Sequence, residues 1–299
     1  MPHILVVGSP AYDDVQTPVE SRRDLLGGAA TYFALAARLY GSVSIVGVVG
    51  DDFRDDDLAL LRDKAIDVSG VGRARGRSFR WRGRYDEGLR TAETVNTEIG
   101  VVRDWRPMID ARSAASDAAF LANSLPEIQR TALTQIAGVP LVGIDTMIEW
   151  IERRRPAVLS VFAAAAVAFV NEAEAAALFP GDPLASARRI RELGPRAVVL
   201  KRGDRGAVLI TATDERRVGA FPVPVVRDPT GAGDAFAGGF LGHLAEAGSS
   251  GDDTLARALV HGAACASFAI EEFGVAGLAD AEREWVDERV RRLGKLAPA

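Results

Sequence analysis

The stretch Asp228-Pro229-Thr230-Gly231-Ala232-Gly233-Asp234, continuing through Ala235-Phe236-Ala237-Gly238-Gly239-Phe240, decides how the rest of the chain is read. Two glycines flank one small residue, and an acid then opens an apolar helical run. That is the pattern of an anion site. Glycines let backbone N–H groups approach a ligand closely. A helix start adds unpaired N–H donors and a partial positive charge. Asp234 is expected at this positive end, which favours its carboxylate form. A carboxylate beside an anion hole suits one task, taking the proton from a hydroxyl as it attacks a phosphoryl group. An isolated acid before a helix would read only as a cap. The whole stretch argues for more.

Composition sets the frame around it. The chain has 299 residues, 48% of them hydrophobic, enough for a substantial core in one α/β domain. A net charge of −5 argues against a nucleic-acid footprint. The single cysteine, Cys265, excludes an intrachain disulfide and fits a reducing cytoplasm. Residues 1–8 lack a charged segment and a long apolar run, so no signal peptide is read there. The run from Ala157 to Val170 is too short to span a bilayer. The expected protein is therefore cytoplasmic, with no membrane or nucleic-acid partner. There is no P-loop pattern and no G-x-G-x-x-G after the first strand, so phosphate binding falls to Gly231–Asp234.

Outward from the stretch, a βα rhythm emerges. Ile4 to Val7 reads as a central parallel strand ending in Gly8-Ser9-Pro10, with Asp13 and Asp14 just beyond. Ligands in open α/β sheets bind past such strand ends. Gly27-Gly28-Ala29-Ala30-Thr31-Tyr32 opens a helix through about Leu39. Strands are expected at 43–49, 118–121 (ending at Asn123), 141–144 (ending at Asp145), 158–163 and 167–170 (ending at Asn171). Asn171-Glu172-Ala173-Glu174 reads as a capping box. Ala197 to Leu200 and Ala207 to Ile210 are two strands around the glycine turn Lys201-Arg202-Gly203-Asp204-Arg205-Gly206. Residues 73–98 break the rhythm: Phe79, Trp81 and Tyr85 alternate with Arg80, Arg82 and Arg84. That spacing predicts a strand with one aromatic and one cationic face, a turn at 86–88 and a return strand from Thr91 to Thr97. Leu255 to Ile270 reads as an Ala-rich helix, and Arg283 to Lys295 as a charged terminal helix.

These motifs together resemble the ribokinase-like (PfkB) carbohydrate kinases along almost the whole chain. The resemblance implies a three-layer αβα sandwich with a mostly parallel central sheet. It implies one domain over 1–299, with a small β-lid from inserted segments 10–26 and 73–105. It also implies an ATP-dependent kinase acting on the hydroxymethyl group of a sugar or sugar derivative. Asp234 would be the general base. Gly231, Ala232, Gly233 and Asp234 would form the anion hole. Asn171 and Glu174 would organise Mg²⁺ through water, and Lys201, Gly203 and Thr230 would contact the nucleotide. Asp13, Gly27, Gly28, Tyr32 and a lid arginine such as Arg82 would meet the acceptor. Similar kinases often respond to a monovalent cation, and Asp228 lies where the loop near such a site runs.

Two departures concern the acceptor. Ala11 and Tyr32 stand where ribokinases carry asparagines. A nucleoside acceptor is therefore the second reading, and a non-catalytic metabolite-binding pseudo-kinase the third. The aromatic lid face is expected either to pack on a partner lid, making a homodimer, or to stack on substrate, and the first is preferred. The arginines are either a solvated face or a clamp for a substrate carboxylate or phosphate.

Overall fold

The computed structural model describes residues 1–90 and 92–295. The chain runs β1 (His3–Val7), β2 (Ala11–Gln16), β3 (Ser21–Gly27), α1 (Ala29–Ala37), β4 (Ser42–Val49), α2 (Asp55–Asp63) and β5 (Ile66–Arg73). It continues through β6 (Arg80–Tyr85), β7 (Ala92–Glu98), β8 (Ala118–Leu121), α3 (Pro126–Gln135), β9 (Val142–Ile144), α4 (Ile148–Ala163), β10 (Val167–Asn171) and α5 (Glu172–Leu178). The remainder is α6 (Pro183–Glu192), β11 (Ala197–Lys201), β12 (Ala207–Ile210), β13 (Glu215–Val218), α7 (Ala232–Ala247), α8 (Asp252–Ala269), α9 (Ala276–Ala279) and α10 (Arg283–Leu293).

A large sheet has the order β13-β12-β11-β10-β9-β8-β1-β4-β5, and only the β11–β12 and β12–β13 pairs are antiparallel. β1 sits between β4 and β8, which explains why residues 4–7 are an unbroken apolar run: such a strand is covered on both faces. Its residues alternate between two cores. Ile4 and Val6 join Phe33, Phe240 and Leu259, on the side of α1, α7 and α8. Leu5 and Val7 join Trp150, Phe162, Leu178 and Ile190, on the side of α4, α5 and α6. The result is helix, sheet and helix in three layers.

A second sheet, β3-β2-β6-β7, stands apart from the first. It contains the expected β6–β7 hairpin, with Trp81 opposite Thr97 and Tyr85 opposite Ala92. Thr91, expected to open the return strand, lies outside the described residues. Asp13 and Asp14 lie on β2 itself rather than in a loop, and β2 pairs in parallel with β6.

One expected strand is a helix. Residues 158–163 end α4, where Val158, Val161 and Phe162 are buried while Ser160 and Ala163 are exposed. That spacing is helical; a short apolar run alone does not separate a buried strand from a buried helix. Among the described residues no helix is long and apolar enough to cross a membrane.

Candidate active site

A cleft of about 1100 Å³ opens between the two sheets. Its floor is the rim of the large sheet, where Asp145, Asn171 and Lys201 end or follow β9, β10 and β11. Gly28, Tyr32, Gly231, Gly233 and Asp234 contribute helix starts from α1 and α7. Asp13, Phe79, Trp81, Tyr85 and Thr97 come from the small sheet and its approach.

Gly231 is the N-cap of α7 and has φ 76°, a backbone conformation open to glycine and strained for other residues. A Cβ there would also fall inside the Tyr32 ring, so the loop lies flat on that ring. Among the described residues no other residue accepts the N–H of Gly231, Gly233 or Asp234. The N–H of Ala232 instead donates to the Pro229 carbonyl at 3.3 Å. Three of the four residues expected at an anion hole thus keep N–H groups that no other residue takes, while that of Ala232 serves the turn.

The charge state of Asp234 differs from the expectation. Its carboxyl is pushed up to about 7, first by burial and then by the charge of Asp145, against the pull of Lys201. Desolvation outweighs the helix end. The cleft-facing Asp13, 4% exposed, is likewise pushed up to about 7 by burial and by Asp228, Asp234 and Asp14, against the Gly28 N–H that donates to Asp13 Oδ2 at 3.3 Å. Carboxyls held near neutrality suit proton transfer better than ordinary ones.

Asn171 and Glu174 form the expected capping box. Asn171 Oδ1 accepts the Glu174 N–H at 2.9 Å, and Glu174 Oε2 accepts the Asn171 N–H at 2.8 Å. Burial raises the Glu174 carboxyl, and Asp145 adds to this against Lys201. Lys201 is the one ammonium in this group. Burial works against its charge, but Asp145, Glu174 and Asp234 outweigh that and hold it protonated. Its Nζ lies 2.7 Å from Asp145 Oδ2 and beside Gly233. From the sequence, Asp145 marks only a strand end. Its signal was the one that marked Asn171, a polar residue where a parallel strand stops. Gln129 fixes the spot, donating from Nε2 to the carbonyls of Ala122 and Asp145 at 3.0 and 2.9 Å.

Three expected contacts lie elsewhere. Arg82 is on the outer face of the lid, with Nη2 2.9 Å from Asp14 Oδ2, and does not line the cleft. Gly203 and Gly27 also lie off the cleft wall, and Gly27 instead packs against the Asp13 carboxylate. Of the aromatic lid face, Phe79, Trp81 and Tyr85 line the chain's own cleft. The arginines on the opposite face are paired: Arg80 with Asp24 and Asp52, Arg82 with Asp14, Arg84 with Glu93.

A family model described as pfkB family carbohydrate kinase matches residues 1–281. The chain belongs to this family. Membership makes it a phosphotransferase of the ATP-using kinase class. A cytidine kinase of Thermococcus kodakarensis is 30% identical over 246 residues, covering 80% of this chain and 87% of the relative. The fold is that of ribokinase-family structures. A nucleoside kinase of Methanocaldococcus jannaschii superposes with a TM-score of 0.78 at 21% identity, over 98% of this chain and 99% of that one. A fructokinase of Vibrio cholerae, described with fructose, ADP and calcium bound, gives 0.79 at 20% identity, over 97% and 99%. Nucleoside and sugar kinases thus share this PfkB architecture, and the architecture alone does not choose the acceptor.

Proposed function

We propose that this PfkB-family chain transfers the γ-phosphoryl group of ATP to the 5′-hydroxymethyl group of a ribonucleoside. One observation carries the choice of acceptor. Trp81 and Gly83 share the lid face that bears Asp13, since Trp81 pairs directly with Asp13 across β2 and β6. A Cβ at Gly83 would fall inside the Trp81 indole, so the ring lies flat along the strand. Trp81 Nε1 donates to Thr94 Oγ1 at 3.1 Å, which fixes the ring's orientation. A flat, held indole on the cleft wall beside the sugar-binding acid is a platform for a planar base, and stacking needs no base-specific hydrogen bond. A free sugar offers such a ring little. The cytidine kinase relative supports the same reading.

Asp13 receives a ribose hydroxyl and orients the acceptor. Asp234 takes the proton of the attacking hydroxyl, and the N–H groups of Gly231, Gly233 and Asp234 face the charge that develops on the transferring group. Mg²⁺ fits the donor set. Asp145, Glu174 and Asp234 gather around a single ammonium, and the set is oxygen-rich and sparse. Asn171 and Glu174 would hold the ion through water. When bound, Mg²⁺ would neutralise charge on the nucleotide phosphates. Lys201 keeps the carboxylates apart and oriented.

The test is ATP consumption across parallel panels of ribonucleosides, ribose and hexoses. A ribonucleoside is expected to show a kcat/KM at least tenfold above every free sugar. A sugar in first place would return the chain to the sugar-kinase reading. No turnover, with tight nucleoside binding, would favour a non-catalytic sensor.

A further inference from the structure

The β6–β7 hairpin covers the acceptor side of the cleft, yet it also touches both segments assigned to phosphate. Tyr85, at the end of β6, places its hydroxyl oxygen 3.0 Å from Thr230 Oγ1. Thr230 immediately precedes the N-cap Gly231. Its backbone N–H donates to Asp228 Oδ1 at 2.9 Å, and the other oxygen of Asp228 accepts the Gly274 N–H at 3.1 Å. The backbone of Thr230 is thus held from the interior, and its side chain is shared between Asp228 and the lid. Beyond Tyr85, Arg90 Nη2 lies 2.8 Å from Asp204 Oδ2, in the turn after β11. That exposed pair adds little energy, but it shows that the hairpin reaches across to the nucleotide wall. On the other side of the loop, the Tyr32 ring lies under Gly231.

Building on the kinase reading, we propose that Tyr85 is a positioning residue for phosphoryl transfer, its hydroxyl tying the lid to Thr230 and setting the Gly231–Asp234 N–H groups in register. An anion hole works only when its donors sit at hydrogen-bond distance from the developing charge. Displacement by an ångström costs orders of magnitude in rate. Because the tie comes from the lid, the hole is completed by the same element that covers the acceptor.

Tyr85→Phe keeps the ring and removes the hydroxyl. Its kcat is expected to fall by about five- to tenfold, the worth of one buried hydrogen bond, with the KM for ATP within about twofold of the unmodified protein. Thr230→Val should lose at least that factor and Thr230→Ser should recover most of it. The double variant Tyr85→Phe/Thr230→Val should be no worse than Thr230→Val alone, because that single already lacks the Tyr85 bond. Full kcat in Tyr85→Phe, or losses that multiply in the double variant, overturns the proposal. Hydrogen exchange on the ligand-free protein adds a readout without turnover. Tyr85→Phe should speed exchange in residues 80–85 and 228–234 together while leaving β1 and β8 unchanged; a change confined to one of the two segments counts against the tie. This arm also separates two failures. A protein that phosphorylates no acceptor sinks the kinase reading, and exchange still decides whether Tyr85 couples lid and loop.

Discussion

At the scale of single residues, Asp234 shows two opposing effects on one carboxyl. The start of α7 favours its ionised form, while burial beside Asp145 disfavours it, and burial wins. Asp234→Asn keeps shape and removes the base, so kcat should fall by roughly 10²–10⁴ with the fold intact, as steady-state kinetics and circular dichroism would show. Near-normal turnover would remove Asp234 from the role. The raised carboxyls also set the pH response. With Asp13 and Asp234 both held near 7, kcat/KM should rise through an acid limb near pH 7 instead of near the ordinary carboxylate value. Stability should run the other way. A carboxyl raised in the folded state favours folding while protonated. That contribution is complete below the unfolded value, near 3.8, and is lost as pH rises through about 7. The ligand-free protein should therefore lose on the order of a few kcal/mol between about pH 4 and pH 7 on account of Asp13. Urea unfolding across that range should show the slope, and Asp13→Asn should flatten it. None of this was legible in the sequence, because it depends on which acids the fold crowds together. The position of Asp234 was legible, because a glycine-flanked helix start is a local pattern.

At the scale of elements, the lid hairpin separates what local pattern gives from what packing adds. Alternation of Phe79, Trp81 and Tyr85 with arginines disclosed a two-faced strand, and the structure has one. Which face meets the cleft was decided elsewhere, by the parallel pairing of β2 with β6 that puts Trp81 opposite Asp13. A strand's own residues carry no record of that pairing. Gly83 is the small residue that lets the indole lie down. Gly83→Val should lift the ring, raising the KM for a ribonucleoside by about tenfold, the order of one base–aromatic stack, with a smaller change in kcat. Parallel kcat and KM measurements would check this. An unchanged KM would mean that the base does not rest on Trp81. The strand expected at 158–163 failed for a related reason. Its apolar residues fit a helix face as well as a covered strand, and only the exposure of Ser160 and Ala163 on α4 separates the two.

At the scale of the whole molecule, few sequence cues marked the parallel strands: apolar runs separated by helical segments, three of them ending in Asn or Asp. The order of the nine strands, with β5 and β13 among them, came from packing. The polar ends became one rim because parallel strands all finish on the same side of the sheet. Asn123, Asp145, Asn171 and Lys201 all line the cleft for that reason. The acceptor was less legible, since it depends on the distance between two sheets that are far apart in the chain. That geometry makes a prediction about the folded state as a unit. The cleft is built from both sheets and from α1 and α7, so a ligand that fills it binds the folded chain and not the unfolded one. At a concentration about a hundredfold above its dissociation constant, a ribonucleoside should stabilise the protein by about 2.7 kcal/mol, read as a rise in Tm of several degrees by scanning fluorimetry. Ribose at the same concentration should shift Tm far less, because it meets Asp13 and leaves the Trp81 platform bare. A nucleoside held only by the ribose contacts would shift Tm no more than ribose does, and equal shifts would show that the platform plays no part in binding.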